Sequence, residues 1–199
     1  VCDPHRPNHE KTYYPGETNF ISADVLIINK VDSADIKNIS IVENNIRELN
    51  PNAIVIKANS PISIEGSEKI KGKRVLVIED GPTLTHGGMS FGAGYIAAKK
   101  YSAKEIIDPR PYSVGSIKET YKKFTHLDKI LPAMGYGAQQ IAELEQTINN
   151  SEPELVLIAT PIDLGSLIKI DKPYLRVLYE LEEITRPDLE QIISQKFNI

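Results

Sequence analysis

Two short apolar runs, Asp24-Val25-Leu26-Ile27-Ile28-Asn29 and Ala53-Ile54-Val55-Ile56-Lys57-Ala58, enclose a stretch with helical periodicity, and this arrangement constrains the chain more than any other feature. Neither run alternates apolar with polar side chains, so each reads as a strand covered on both faces, the pattern of a parallel sheet. Between them Ile36, Ile39, Val42, Ile46 and Leu49 recur at steps of three and four, one stripe of an amphipathic helix that Asn50-Pro51-Asn52 ends. The segment is a β-α-β unit. The alternation continues, with strands expected over Arg74–Ile78, Glu105–Ile107, Lys129–Leu131, Leu155–Ala159 and Tyr174–Leu181, and helices over Gly92–Lys100, Gly115–Phe124, Gln139–Asn149 and about Pro187–Phe197. The expected fold class is α/β, a mostly parallel sheet with helices on both faces. Ser60–Gly72 reads as a seam between residues 1–62 and 63–199.

Composition excludes several functions. The chain has 199 residues and a net charge of −4, so it carries no basic field for wrapping nucleic acid or anionic lipid. The single cysteine, Cys2, rules out an internal disulfide and paired C-x-x-C zinc sites, which fits a reducing compartment. No apolar run is long enough to span a bilayer, and the first residues do not resemble a signal peptide, so a cytoplasmic location is expected. The opening Val1-Cys2-Asp3-Pro4 lacks Met and reads as the end of a buried strand, so residues preceding Val1 are expected.

In a sheet of this type ligands sit beyond the carboxyl ends of the strands, and those ends carry the unusual residues. Asn29-Lys30-Val31-Asp32 follows the first strand and matches the N-K-x-D box that P-loop GTPases use for guanine: Asp32 can accept from the base, Asn29 can hold the loop, and the Lys30 stem can lie along the ring. Asn59 and Ser60 close the second strand on the same rim. The chain has no G-x-x-x-x-G-K-[ST] loop, so residues 1–62 read as the rear part of a P-loop-type nucleotide domain whose phosphate loop lies elsewhere. Asp3-Pro4-His5-Arg6-Pro7-Asn8-His9-Glu10 gathers carboxylates, histidines and an arginine. Its readings are phosphate held by Arg6 and a histidine, Mg²⁺ held by Asp3 or Glu10, a zinc pair of His5 and His9, or a solvated loop. Glu79–Gly88 reads as a long glycine-rich loop. There Asp80, Gly81, Thr83, Gly87 and Gly88 would bind an anion, and His86 would protonate a leaving oxygen. Arg110, between two prolines, offers a stiff fork for phosphate, or else a salt bridge to Asp108 that closes its turn. Gly92-Ala93-Gly94-Tyr95-Ile96-Ala97 formally fits a dinucleotide fingerprint, but it stands too far past its strand and reads as close helix packing.

Taken together, D-P-H-R-P-x-H-E, Y-Y-P-G-E-T-N, A-D-V-L-I-I-N-K-V-D, V-L-V-I-E-D-G-P-T-L-T-H-G-G-M, D-P-R-P-Y-S-V-G-S, L-P-A-M-G-Y and Y-E-L-E-E resemble the C-terminal half of an archaeal predicted-GTPase family associated with cyclic 2,3-diphosphoglycerate synthetase. The likeness runs from Val1 to about Glu183. It implies a ligase using Mg²⁺ and ATP, or GTP, that closes a phosphoanhydride within a small, anionic, phosphorylated substrate. The alternatives are a GTPase acting as a nucleotide-switched binding protein, and a non-catalytic fragment. On this reading His86, Arg110, Arg6 and His9 are catalytic, Asn29, Lys30, Asp32, Asn59 and Ser60 hold the nucleotide, and Asp3 and Glu10 hold metal. Residues 63–199 supply the substrate loops. The implied partners are the substrate and an N-terminal part of the same protein, with self-association possible and neither nucleic acid nor membrane.

Overall fold

The computed structural model describes residues 1–12 and 15–197. Tyr13 and Tyr14, in the Y-Y-P-G-E-T-N segment, lie outside the described residues. The chain divides into two compact units, Val1–Pro61 with Tyr179–Ile199, and Ile62–Leu178. The residues from Tyr179 onward thus join the first unit.

The first unit contains α1 (His9–Thr12), α2 (Gly16–Ser22), β1 (Val25–Ile28), α3 (Ile36–Leu49) and β2 (Ile54–Asn59), and from the end of the chain β10 (Glu182–Glu183) and α8 (Leu189–Phe197). β1 and β2 pair in parallel with Val25 opposite Ile54, and β10 pairs antiparallel to β2. On the other edge of β1, Cys2 forms a parallel bridge to Ile28. The lack of alternation in β1 has a direct cause. Leu26 and Ile28 pack with Ile39, Val42 and Ile46 of α3, while Val25 and Ile27 pack with Ile56, Ala58 and the α8 residues Leu189 and Ile192. Each such aliphatic side chain, when fully buried, contributes about 1.5–3 kcal/mol. α3 starts where the Asp35 side chain accepts the Lys37 N–H at 2.8 Å. It ends at Asn50, whose amide donates to the carbonyls of Phe20 and Ala23.

Two-residue strands, β3 (Ile62–Ser63) and β9 (Leu178–Tyr179), stand where the chain passes between units. The second unit runs β4 (Arg74–Asp80), α4 (Gly81–Gly87), α5 (Ala93–Lys100), β5 (Glu105–Ile106), α6 (Gly115–Lys123), β6 (Leu131–Ala133), α7 (Ala138–Asn150), β7 (Leu155–Ala159) and β8 (Tyr174–Arg176). Its five-stranded sheet has the order β5-β4-β7-β8, with β6 also on β4, and every pairing is parallel. β5 and β6 share one edge of β4, β5 along its start and β6 along its end. The expected α/β class with a mainly parallel sheet is the observed one.

Three local expectations change. Glu79–Gly88 is not an open loop: its centre is helix α4, capped by the Asp80 side chain and ended by Gly88 at φ 65°, a left-handed turn that glycine adopts without a Cβ penalty. The strand expected at Lys129–Leu131 lies two residues later, over Leu131–Ala133. Tyr174–Leu181 is broken into β8 and β9, because β8 follows β7 for only three residues. The close packing inferred for Gly94 is present, since a Cβ there would stand 2.8 Å from Val77 and 2.9 Å from Ala159. Among the described residues no helix is long and apolar enough to cross a membrane.

Candidate functional site

The parallel bridge at Cys2 brings the start of the chain beside the loop after β1, so two of the segments singled out in the sequence meet in the first unit. Lys30 Nζ donates to Asp3 Oδ2 at 2.8 Å, and Arg6 Nη2 donates to the same oxygen at 3.2 Å. His5 Nε2 lies 3.1 Å from Ser33 Oγ. Burial alone would raise the Asp3 carboxyl, but the Lys30 ammonium, the His5 N–H and the Arg6 guanidinium together hold it below the ordinary carboxylate range. Lys30 itself sits at φ 60°, uncommon for a residue with a side chain. The conformation is held by the Asn29 side chain, which accepts the Lys30 N–H at 2.8 Å, and by Val31 N–H donating to the Ala58 carbonyl at 3.1 Å.

Asp32 is exposed and accepts the Ser60 N–H at 3.1 Å, tying the β1 loop to the end of β2. Asn59 turns the other way, its amide donating to Glu182 of β10. Glu10 accepts from Asn45 of α3 at 2.6 Å, and His9 is exposed at the start of α1. Asn29, Lys30, Asp32 and Ser60 are therefore one rim with Asp3, His5 and Arg6, whereas Asn59 and Glu10 are engaged by Glu182 and Asn45. Asp3 and Glu10 do not come together around a cation position, and among the described residues no group of three His, Cys, Asp or Glu could hold a metal ion.

In the second unit the carboxyl end of β4 carries two adjacent acids with different environments. Asp80 Oδ2 accepts from Thr83 through its N–H at 3.3 Å and its hydroxyl at 2.5 Å, which caps α4. Glu79 points to the opposite face of the sheet. It is buried, and it accepts the N–H groups of Gly92 at 3.1 Å and Tyr95 at 3.0 Å at the start of α5. Burial pushes its carboxyl up to about 7, more than these backbone donors lower it. A Cβ on Gly92 would stand 2.6 Å from the Glu79 carboxylate, so glycine is what lets the carboxylate approach this backbone.

His86 lies on α4, its Nδ1 at 3.2 Å from both the Pro82 carbonyl and Thr85 Oγ1. Gly81 is packed against Met134 and the carbonyl of Ala133, which brings the end of β6 close to the start of α4. Arg110 makes the bridge to Asp108 rather than offering an open fork: Nε and Nη2 reach the two carboxylate oxygens at 2.8 and 2.7 Å, and the Arg110 N–H also donates to Asp108 at 3.0 Å. Its other charged or ionisable neighbours are Tyr121 and Asp128, not residues of α4. Asp80, Gly81, Thr83, His86, Gly87 and Gly88 thus share one short helix, and Arg110 closes a separate turn.

Two residues not assigned a role from the sequence join the rim of the second unit. Tyr136 follows β6, and its hydroxyl oxygen is buried without a hydrogen-bond partner. Burial, and then the charge of Asp80, hold this phenol above its ordinary value. Arg176 ends β8, and its Nε is likewise buried without a hydrogen-bond partner. The available signal for Arg176 was a guanidinium inside an otherwise apolar strand; for Tyr136 it was only its place after a strand.

Compared with proteins of known function, the chain is 61% identical over 195 residues to arginine synthetase ArcE of Thermococcus kodakarensis, a match covering 98% of the chain and 44% of that protein. The chain spans about half the length of the curated relative it matches. No family model matches it. This identity overturns the resemblance to the family of cyclic 2,3-diphosphoglycerate synthetase, and with it the phosphoanhydride-closing ligase and the GTPase switch. The reason is chemical. Short motifs of glycines, threonines and an N-K-x-D loop recur on unrelated functions, so a likeness in them does not fix the reaction that is catalysed.

Proposed function

We propose that the chain is part of an ATP-dependent ligase that synthesises arginine. The observation that carries this reading is the 61% identity to arginine synthetase over nearly the whole chain. The chemistry asks for a nucleotide. The guanidino carbon of arginine bears three nitrogens, and attaching the last of them to the corresponding ureido compound expels an oxygen that leaves only after activation by a phosphoryl or adenylyl group. Ammonia, the ureido amino acid and ATP then balance to arginine, ADP and inorganic phosphate, the expelled oxygen leaving on the phosphate, or, where an adenylyl group activates it, to arginine, pyrophosphate and AMP, the oxygen leaving on AMP.

The first unit supports nucleotide binding through the loop after β1. Lys30, paired with Asp3, shapes the turn, and Asp32, tied to the Ser60 N–H, offers an exposed carboxylate on the rim. The second unit offers the rim of β4 and α4, with Asp80, Thr83 and His86. The test uses the full-length protein that contains this chain, incubated with ATP, ammonium and the ureido counterpart of arginine. Chromatography should show arginine accumulating with stoichiometric loss of ATP. Nucleotide hydrolysis without arginine would overturn the proposal.

A further inference from the structure

The parallel register of the second sheet fixes which residues share a face at its carboxyl edge. Ile78 of β4 stands opposite Ile158 of β7, and Ile158 stands opposite Arg176 of β8. Side chains alternate along a strand, so Asp80, two residues beyond Ile78, and Thr160, two beyond Ile158, lie on the face that carries Arg176. Glu79 and Ala159 point to the other face, where α5 packs. Tyr136 lies shortly beyond Ala133, which pairs with Asp80, and Met134, which packs on Gly81, and the Asp80 charge acts on its phenol.

Arg176 is poorly satisfied on this face. Its Nε is buried without a hydrogen-bond partner, Nη2 is 3.5 Å from the Pro161 carbonyl, and Nη1 is 3.9 Å from Asp163 Oδ2. These contacts are at or beyond the limit of a useful hydrogen bond. The side chain is 37% exposed, so the fork also meets solvent. A planar guanidinium with open donors suits a carboxylate, which it grips with two parallel bonds. Asp163, next to it, is held among the described residues by the Gly165 N–H at 3.1 Å and by the long approach to Arg176. One cation and one anion, adjacent but not closed on each other, match a ligand that carries both charges on a single carbon.

We propose that Arg176 and Asp163 form the head-group site for an α-amino acid, with the ligand carboxylate on the Arg176 guanidinium and the ligand ammonium on Asp163. The ligand side chain runs along the face toward Asp80 and Tyr136. β4 and β8 are two strands apart, about 10 Å at ordinary strand spacing, so an extended amino acid side chain brings its end to the Asp80 carboxylate and the unpartnered Tyr136 hydroxyl. The site stands on the geometry of this sheet; only the choice of arginine or its ureido counterpart as ligand rests on the function proposed above.

The test is calorimetric titration of the full-length protein with L-arginine and with agmatine, which is arginine without its α-carboxylate. The unsubstituted protein should bind L-arginine at least 10-fold more tightly than agmatine. Arg176→Met should weaken L-arginine by that factor and leave agmatine unchanged, so the difference between ligands disappears. Where Arg176→Met does not fold, Arg176→Lys serves, keeping the charge but losing the fork and part of the discrimination. Asp163→Asn should weaken both ligands, since both carry the ammonium. Equal affinity for the two ligands in the unsubstituted protein, or equal losses of both in Arg176→Met, would overturn the site. Failure to bind any of a panel of α-amino acids would overturn it too. Arg176-dependent binding of a different amino acid, with no arginine formed in the activity assay, would uphold the site and reject arginine synthesis.

Discussion

Asp3 in the first unit and Glu79 in the second are both removed from water, yet their surroundings move them in opposite directions. Asp3 lies against two cations, with Lys30 at 2.8 Å and Arg6 at 3.2 Å, and remains ionised below the usual range. Glu79 is 3% exposed and meets backbone N–H groups, with the Asp80 charge next to it, and is pushed up to about 7. Backbone dipoles reduce the cost of burying a carboxylate but do not cancel it, whereas full charges at hydrogen-bond distance do. The contrast extends to the two rims. In the first unit the cations are already engaged by a protein carboxylate, which holds a loop in shape. In the second unit Arg176 is left with open donors, so a ligand can supply the anion.

The largest expected effect comes from removing the charge of Glu79. Its folded-state value, about 7, lies above its ordinary 4.5. The contribution is therefore fully present below pH 4.5 and is lost as the pH rises to 7. The loss is on the order of 3 kcal/mol. Glu79→Gln keeps an acceptor for the Gly92 and Tyr95 N–H groups and carries no charge at any pH. Urea denaturation at pH 5 and pH 8 should show the parent losing stability between the two and the variant losing much less. Equal pH dependence of parent and variant would show that Glu79 titrates normally and would remove the contrast with Asp3.

Asp3→Asn should act in the reverse sense and more weakly. The folded-state value is lowered, so the contribution of Asp3 is present above its ordinary 3.8 and is lost as the pH falls through the lowered value. At neutral pH the variant leaves Lys30 and Arg6 facing an amide, which is expected to cost about 1–2 kcal/mol. The parent and variant should converge in stability as acid protonates Asp3. A neutral-pH loss below about 0.3 kcal/mol would place this pair among ordinary surface ion pairs.

Much of this fold was legible in the sequence, for reasons visible in particular residues. Ile36–Leu49 and Leu155–Ala159 were found at their observed bounds, because one has an uninterrupted stripe and the other is apolar throughout. The segment after β4 was misread since its glycines suggest a loop. The Asp80 cap, Pro82 in the first turn and Gly88 at the end instead make them the boundaries of a helix. The meeting of Asp3 with Lys30 depends on a bridge between residues 26 positions apart, Cys2 and Ile28, which no local pattern encodes. Arg176 was missed for the same reason. The face it shares with Asp80 is a consequence of strand register, and register across β4, β7 and β8 emerges only from the assembled sheet.

The smallest effect separates Arg110 from Arg176, two arginines near strand ends with different surroundings. Arg110 is already paired with both oxygens of Asp108, and the pair stands at 45% and 33% exposure, where solvent screens it. An exposed pair of this kind contributes about 0.2–1 kcal/mol. Arg110→Ala should therefore lower stability by about 0.5 kcal/mol and leave the affinity for L-arginine unchanged in the same titration in which Arg176→Met weakens it. The two variants remove the same guanidinium, so a shared loss of ligand binding would mean that overall charge, and not an open fork at the carboxyl edge of the sheet, governs recognition. A loss confined to Arg176 means that what matters is whether the protein has already supplied the anion.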